Sequence, residues 1–257
     1  MNGRLFSVIG GVFLLTVCSR GDDGAARAAP AGGAPASASE TQAGATITGK
    51  VKFTGARPTN PRIDMTEEAA CKAKYKTTPP TAETVVVNAN GTLENVFVYV
   101  KAGLPADAKY PTPATPVVID QDGCRYHPHV LGIMVGQSLE IRNSDPVLHN
   151  IKAKPVKNRP FNVSQPSAGM KTTRTFAASE VMIPLECNVH GWMNAYVGVL
   201  PHPFFAVTGA DGSFSIKGLP AGTYTIEAWH EKYGTQTATV TVPATGTKAA
   251  DFTFAAR

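Results

Sequence analysis

Hydrophobic and polar residues alternate in several stretches of this 257-residue chain. In residues 47–53, the apolar side chains of Ile47, Val51 and Phe53 share one parity and two lysines take the other. Residues 138–142 repeat the pattern, with Leu and Ile alternating with Ser, Glu and Arg. A period of two residues is that of a half-buried β-strand. The pattern therefore predicts an all-β fold.

Further strands are predicted where short apolar runs lie between turn-forming residues. They are residues 117–119, 126–130, 133–143, 161–163, 172–176, 181–187 and 195–200. Residues 85–87 and 96–100 are predicted to form a hairpin around an Asn-Gly turn. One short helix is expected to open at Asp64 with a capping-box-like start and to hold Cys71. Pro184 cannot donate to a ladder, which indicates an edge or bulged position.

Soft metal ligands are concentrated in residues 187–193. Cys187 supplies a thiol, His190 an imidazole and Met193 a thioether. Thiolate and thioether favour copper(I), imidazole suits both oxidation states, and a His₂Cys set with a weak axial Met is the electron-transfer arrangement. This set needs a second histidine, and His149 is the best candidate, in a loop directly after a predicted strand. Zinc also fits a Cys-His-His site, although the affinity order favours copper.

The motif N-S-D-P-V-L-H-N at 143–150, followed by C-x-x-H-x-x-M at 187–193, resembles the copper signature of the cupredoxins. The short spacing from Cys to Met is most similar to that of amicyanin. This resemblance covers residues 117–200 and implies a Greek-key β-sandwich with one type 1 copper. The ligands that it implies are His149, Cys187, His190 and Met193.

The same resemblance implies roles for neighbouring residues. Asn150 is expected to hydrogen-bond across to the Cys187 loop and to hold the thiolate in place. The ring edge of His190, among Trp192 and apolar neighbours, is the expected electron exit and docking patch. The implied function is a one-electron carrier whose partner is a c-type cytochrome or an envelope dehydrogenase.

A second pattern begins near residue 205, with alternating strands joined by Asp-Gly and Pro-Ala-Gly turns. It resembles the carboxypeptidase regulatory-like module, a small transthyretin-like β-sandwich without a peptidase site. Residues 201–257 are assigned to this module, packed with the copper domain. Strand 47–53 is a candidate first strand of the module, in which case the copper domain is an insertion. Residues 46–116 are otherwise an N-terminal β segment that carries the Cys71 helix.

The N-terminus is typical of an exported protein. Arg4 precedes an apolar run that is short for spanning a bilayer and matches a signal peptide. Its end, Leu-Thr-Val-Cys18, resembles a bacterial lipoprotein box, so residues 1–18 are a predicted signal peptide and Cys18 a predicted lipidation site. A conventionally cleaved signal or an uncleaved anchor is the alternative. Residues 19–45 are a predicted disordered linker, and the expected location is the periplasmic face of the bacterial cell envelope.

The remaining cysteines have a simple interpretation. With Cys18 assigned to lipid and Cys187 to metal, Cys71 and Cys124 are left in an oxidising compartment. We expect them to form a disulfide. The alternative is two buried free thiols, because a sequence alone defines no geometry.

Two other functions fit the sequence. A copper enzyme needs a second metal, which only His127 and His129, two apart on a predicted strand, could hold. A surface pair around Pro128 is the alternative for these histidines. A non-redox copper-binding or surface-interaction module is the other function. Nucleic-acid binding is not expected, because the net charge of +5 comes without a basic run interleaved with aromatics.

Overall fold

A computed structural model describes residues 44–256 of the chain. The predicted signal peptide, the lipidation site at Cys18 and nearly all of the predicted linker lie outside the described residues. Within this range the fold is nearly all-β, as the alternation predicts, with one short helix. No helix of the described range is long and apolar enough to cross a bilayer.

The strands and the helix of residues 44–256 are numbered in chain order. They are β1 (Ala45–Thr54), α1 (Ala69–Lys74), β2 (Phe97–Ala102), β3 (Val117–Asp122), β4 (Arg125–His127), β5 (Val130–Met134), β6 (Leu139–Asn143), β7 (His149–Ala153), β8 (Phe161–Gln165), β9 (Lys171–Arg174), β10 (Glu180–Glu186), β11 (Asn194–Leu200), β12 (Phe205–Val207), β13 (Ser213–Leu219), β14 (Gly222–His230), β15 (Gly234–Val242), β16 (Gly246–Ala249) and β17 (Phe252–Ala255). The first strand begins at Ala45, the last residue of the predicted linker, whose side chain is fully buried.

The middle of the chain forms one β-sandwich, which we call the central sandwich. One of its sheets has the order β4-β3-β6-β9 and the other the order β5-β11-β10-β7-β8. Ile119 and Ile141 from the first sheet and Leu185 and Val197 from the second share one core. Buried and half-buried residues alternate along β6, in the order that its sequence pattern predicts.

Both ends of the described chain meet in a second sandwich, which we call the flanking sandwich. One sheet has the order β13-β1-β16, with β17 also pairing with β1, and the other has the order β12-β2-β14-β15. Ile47, Val98, Ile226 and Phe252 lie in its core. Strands β1 and β2, which precede the central sandwich in the chain, therefore pair with C-terminal strands. All the strands of the central sandwich lie between β2 and β12 in the chain.

The two sandwiches pack directly against each other. Phe97 and Tyr99 of β2 form an apolar cluster with Val130 and Leu200 of the central sandwich. Gly198 of β11 allows this approach, because a Cβ atom there would lie 2.5 Å from the Phe97 ring. The two sandwiches are therefore joined by a close-packed interface and not only by a flexible linker.

For residues 64–100, the predicted short helix that holds Cys71 is present, but its predicted start and the predicted hairpin are wrong. The helix begins at Ala69 rather than near Asp64, because the Asp64 carboxylate accepts a hydrogen bond from the Thr66 backbone in a turn of its own. The predicted hairpin is reduced to one isolated bridge between Val87 and Leu93. Strand β2 pairs instead with β12 and β14.

Two prolines shape the central sandwich. Strand β4 ends at His127 and β5 begins at Val130, so the strand predicted at 126–130 is broken at Pro128. Pro184 lies in β10 between β7 and β11, not at an edge. The pairing of β10 with β11 shifts register between Glu180 and Ile183, next to this proline. A bulge near a residue without an N–H is the expected arrangement.

Candidate metal centre

The proposed ligands come from two places in the central sandwich. His149 is the first residue of β7, not a loop residue as the sequence pattern predicts. Cys187, His190 and Met193 lie in the short connection from β10 to β11. This connection is a closed turn, because the Met193 N–H donates to the His190 carbonyl at 2.9 Å and the Cys187 N–H to the Met193 carbonyl at 3.2 Å. Since β7 pairs with β10, the start of β7 lies beside this turn.

The nitrogen and sulfur donor atoms converge. The Nδ1 atoms of His149 and His190 lie 2.9 Å apart, and Cys187 Sγ lies 4.0 Å from Nδ1 of His190. One ligand atom from each of these residues lies within 4.8 Å of the others. All are buried, and so is Met193, at 2% exposure. Thiolate and imidazole donors without a carboxylate ligand suit copper.

His149 is oriented by a carboxylate. Its Nε2 atom lies 2.9 Å from Oδ2 of Asp145, which leaves Nδ1 facing His190 and Cys187. Burial lowers the pKa of His149, but hydrogen bonds to Asp145 and Cys187 outweigh burial and raise the pKa overall. The carboxylate thus holds the ring with one nitrogen available as a ligand.

The surroundings of Cys187 favour the thiolate form of its side chain. Burial raises the pKa of its thiol, but its contacts with the His149 and His190 side chains outweigh burial and lower the pKa to about 5. The His190 backbone N–H also donates to its sulfur at 3.4 Å. Asn150 Oδ1 lies 3.3 Å from the sulfur and accepts a hydrogen bond from the Asn188 N–H at 2.7 Å. Asn150 therefore ties β7 to the ligand turn.

The ring of His190 is covered, which corrects the expectation of an accessible edge. Only 3% of the residue is exposed. Its Nε2 atom lies 4.0 Å from Cys71 Sγ and 3.9 Å from the Glu68 carboxylate. The Trp192 ring also packs against it, with ring centroids 5.0 Å apart. The cover comes from α1 and the residue before it, a segment whose sequence pattern indicates no such role.

A disulfide joins this cover to the central sandwich. Cys71 of α1 is bonded to Cys124, with their Cα atoms 5.6 Å apart. Gly123 and Cys124 form the two-residue turn between β3 and β4, and both have positive φ. That geometry is typical of a type I′ hairpin turn. The carbonyl of Cys124 also accepts a hydrogen bond from the Trp192 indole at 2.9 Å.

His127 and His129 do not form a pair. His127 is exposed, whereas His129 is buried and lies 2.7 Å from the Glu231 carboxylate and 3.1 Å from the Asn194 carbonyl. Among residues 44–256, the groups of His, Cys, Asp and Glu placed to hold a metal ion include neither of them. His127 ends β4 and His129 precedes β5, so the two do not share the strand face that the sequence pattern predicts.

The C-terminal part of the chain matches a known family. Residues 194–255 match the family model of the carboxypeptidase regulatory-like domain. That range consists of β11 and the C-terminal strands of the flanking sandwich. No curated protein matches the chain.

The structural neighbours include cupredoxins. A purple cupredoxin from Nitrosopumilus maritimus is 25% identical, with a TM-score of 0.28, over 32% of this chain and 97% of that one. An amicyanin variant in the Cu(I) form is 16% identical, with a TM-score of 0.29, over 40% of this chain and 97% of that one. A Cu-containing nitrite reductase from Thermus scotoductus SA-01 is 24% identical, with a TM-score of 0.31, over 38% of this chain. This chain spans only 25% of the length of that nitrite reductase. These likenesses are too partial to assign a function.

Two residues at the centre have roles that the sequence pattern does not reveal. Asp145 lies within the cupredoxin-like motif, and Lys74, which contacts it at 2.7 Å, lies outside every motif. The signal for Asp145 is a carboxylate four residues before a proposed histidine ligand, since such ligands usually donate their second N–H to an acceptor. No sequence pattern points to Lys74, because it is distant along the chain from Asp145 and the proposed ligands.

Proposed function

We propose that this chain is a type 1 copper protein that carries single electrons in the bacterial cell envelope. The observation that supports it is the convergence of His149, His190 and Cys187 donor atoms beside the buried Met193. A copper ion held there supplies a one-electron couple. We assign one copper to each chain, with Met193 as the weak axial ligand.

The residues around the donors suit electron transfer. Asn150 and the closed turn from Cys187 to Met193 hold the sulfur in place. The side chains exclude water, because every proposed ligand is buried. A rigid, mixed donor set needs little rearrangement when its oxidation state changes.

Electrons need a route to the surface, because His190 itself is covered. The half-buried Trp192 ring contacts His190 and is the proposed exit. Leu148 and Val189, next to ligand residues, are 42% and 47% exposed and would present an apolar surface to a transient redox partner. The proposed partners are a c-type cytochrome or an envelope dehydrogenase, with a lipid on Cys18 as membrane anchor.

Copper loading tests this proposal directly. The purified protein with one equivalent of copper(II) should be intensely coloured by thiolate-to-copper charge transfer, and Cys187→Ser should abolish the colour. His129→Ala, which removes a buried histidine outside the cluster, is the matched control and should stay coloured. A colourless wild type would refute the type 1 assignment. Two tightly bound coppers per chain would instead favour a copper enzyme.

One observation favours a second candidate, a copper-binding module without a redox role. His190 is covered, and a metal centre that exchanges no electrons does not need an accessible ligand. Stopped-flow mixing of the oxidised protein with a reduced c-type cytochrome separates the two functions. Reduction in seconds supports the carrier, whereas a coloured protein that stays oxidised supports the binding module.

A further inference from the structure

Asp145 is a fully buried carboxylate whose two oxygens are both occupied. Oδ1 accepts the Gly123 N–H at 3.0 Å and contacts Lys74 Nζ at 2.7 Å. Oδ2 accepts the Cys124 N–H at 2.7 Å and lies 2.9 Å from His149 Nε2. A buried carboxylate persists only when its charge is paired and its oxygens are hydrogen-bonded, and here both conditions are met.

These contacts determine which nitrogen of His149 is free. All the other partners of Asp145 are donors, so the carboxylate can only accept from Nε2. The proton of a neutral His149 ring then lies on Nε2, and the lone pair on Nδ1 points at the other donor atoms. A carboxylate behind a histidine ligand also increases the basicity of that ligand.

The charge on Asp145 is balanced by a cation from the covering segment. Lys74 ends α1 and reaches both Asp145 and Asp122, at 2.7 and 2.9 Å. The same helix is tied by its disulfide to Cys124, whose N–H bonds the carboxylate. The turn at Gly123 and Cys124 therefore holds both the helix that covers His190 and the Asp145 carboxylate.

We propose that Asp145 is a positioning residue for metal binding, and that Lys74 adjusts the negative charge it places behind His149. This inference rests on the proposed function, because it requires the cluster to bind copper. The carboxylate stabilises copper(II) more than copper(I), since the ion of higher charge gains more from a nearby anion. Lys74 opposes that effect.

Two substitutions that remove charges of opposite sign provide the test. Asp145→Asn should weaken copper(II) binding about 10- to 100-fold. With copper(I) affinity unchanged, each tenfold loss raises the reduction potential by about 59 mV. Lys74→Met leaves the carboxylate unopposed and should lower the potential. The control is Lys101→Met, which removes a similar lysine 2.5 Å from buried Glu227 in the flanking sandwich and should leave the potential unchanged.

The sign of the shifts decides between positioning and mere structural support. A general loosening of the fold would move both variants in the same direction, and that outcome, or no shift in either, overturns the inference. If Asp145→Asn does not fold, the sign of the Lys74→Met shift decides alone. Failure of the proposed function is a separate result, because a colourless wild type would reveal it first.

A measurement without metal completes the test. Long-range ¹H–¹⁵N spectra of the metal-free protein at pH 9 should show the His149 proton on Nε2. A proton found on Nδ1 alone would overturn the inference, whatever the copper experiments show.

Discussion

Breaking the bond between Cys71 and Cys124 should destabilise the protein measurably. The bond closes a loop with a sequence separation of 53 residues. In the chain-entropy treatment, releasing a loop of that length costs about 4 kcal/mol of the free energy of unfolding at 25 °C. We therefore expect Cys71→Ala combined with Cys124→Ala to lower that free energy by about 4 kcal/mol.

The loss should be global rather than a local detachment of α1. Two other contacts still hold the helix region without the bond: Lys74 pairs with Asp145 at 2.7 Å, and the Tyr75 hydroxyl donates to the Gly123 carbonyl at 2.8 Å. The double variant should therefore fold and keep His190 covered. Its native state gains few new conformations, whereas its unfolded state gains many.

Urea unfolding of the metal-free protein measures the difference. The wild type treated with a reductant is the control, and its stability should fall by a similar amount, because reduction opens the same loop. A loss below about 1 kcal/mol, in the variant and on reduction alike, would refute the reasoning. It would also support the alternative of two free thiols, which a reductant leaves unchanged.

Further predictions concern the interface, pH dependence and electron exit. Gly198→Ala should cost about 1–3 kcal/mol in urea unfolding by overpacking against Phe97, whereas Gly209→Ala, in open space, should cost much less. Burial lowers the pKa of His230 to about 4. The unfolded chain then binds the extra proton between about pH 4 and 6.5, so the free energy of unfolding should rise with pH there by up to about 1.4 kcal/mol per unit; His230→Phe should flatten this rise. Trp192→Leu should slow electron exchange with a cytochrome but keep the colour, and an unchanged rate would exclude Trp192 as the exit.

Local patterns predicted the strands because parity is a property of neighbouring residues. Residues 138–142 alternate in sequence, and β6 alternates in burial. Partner choice is not local. Strand β2 is expected from its sequence beside residues 85–87, but it pairs with β12 and β14, more than a hundred residues further on. A sequence read residue by residue contains no signal for that pairing.

The residues of the site also fall into those that local sequence predicts and those that depend on distant contacts. Cys187, His190 and Met193 are predictable because they lie in one short motif, and His149 because it follows a strand. The cover over His190 depends on Cys71 meeting Cys124, and a sequence can suggest such a bond but cannot place it. The role of Lys74 depends in turn on where that bond places α1.

The two-residue turn at Gly123 and Cys124 restrains several residues around the covered site at once. Its two amides hold Asp145, its disulfide holds α1 over His190, and the Cys124 carbonyl holds the Trp192 indole. A displacement of the turn would therefore disturb both histidine ligands at once. Because these restraints are contacts within the protein itself, we expect the donor atoms to have little freedom to follow a change in the charge of a bound metal. The proposed electron carrier would benefit from that restriction, with Trp192 as the proposed connection between the site and a redox partner.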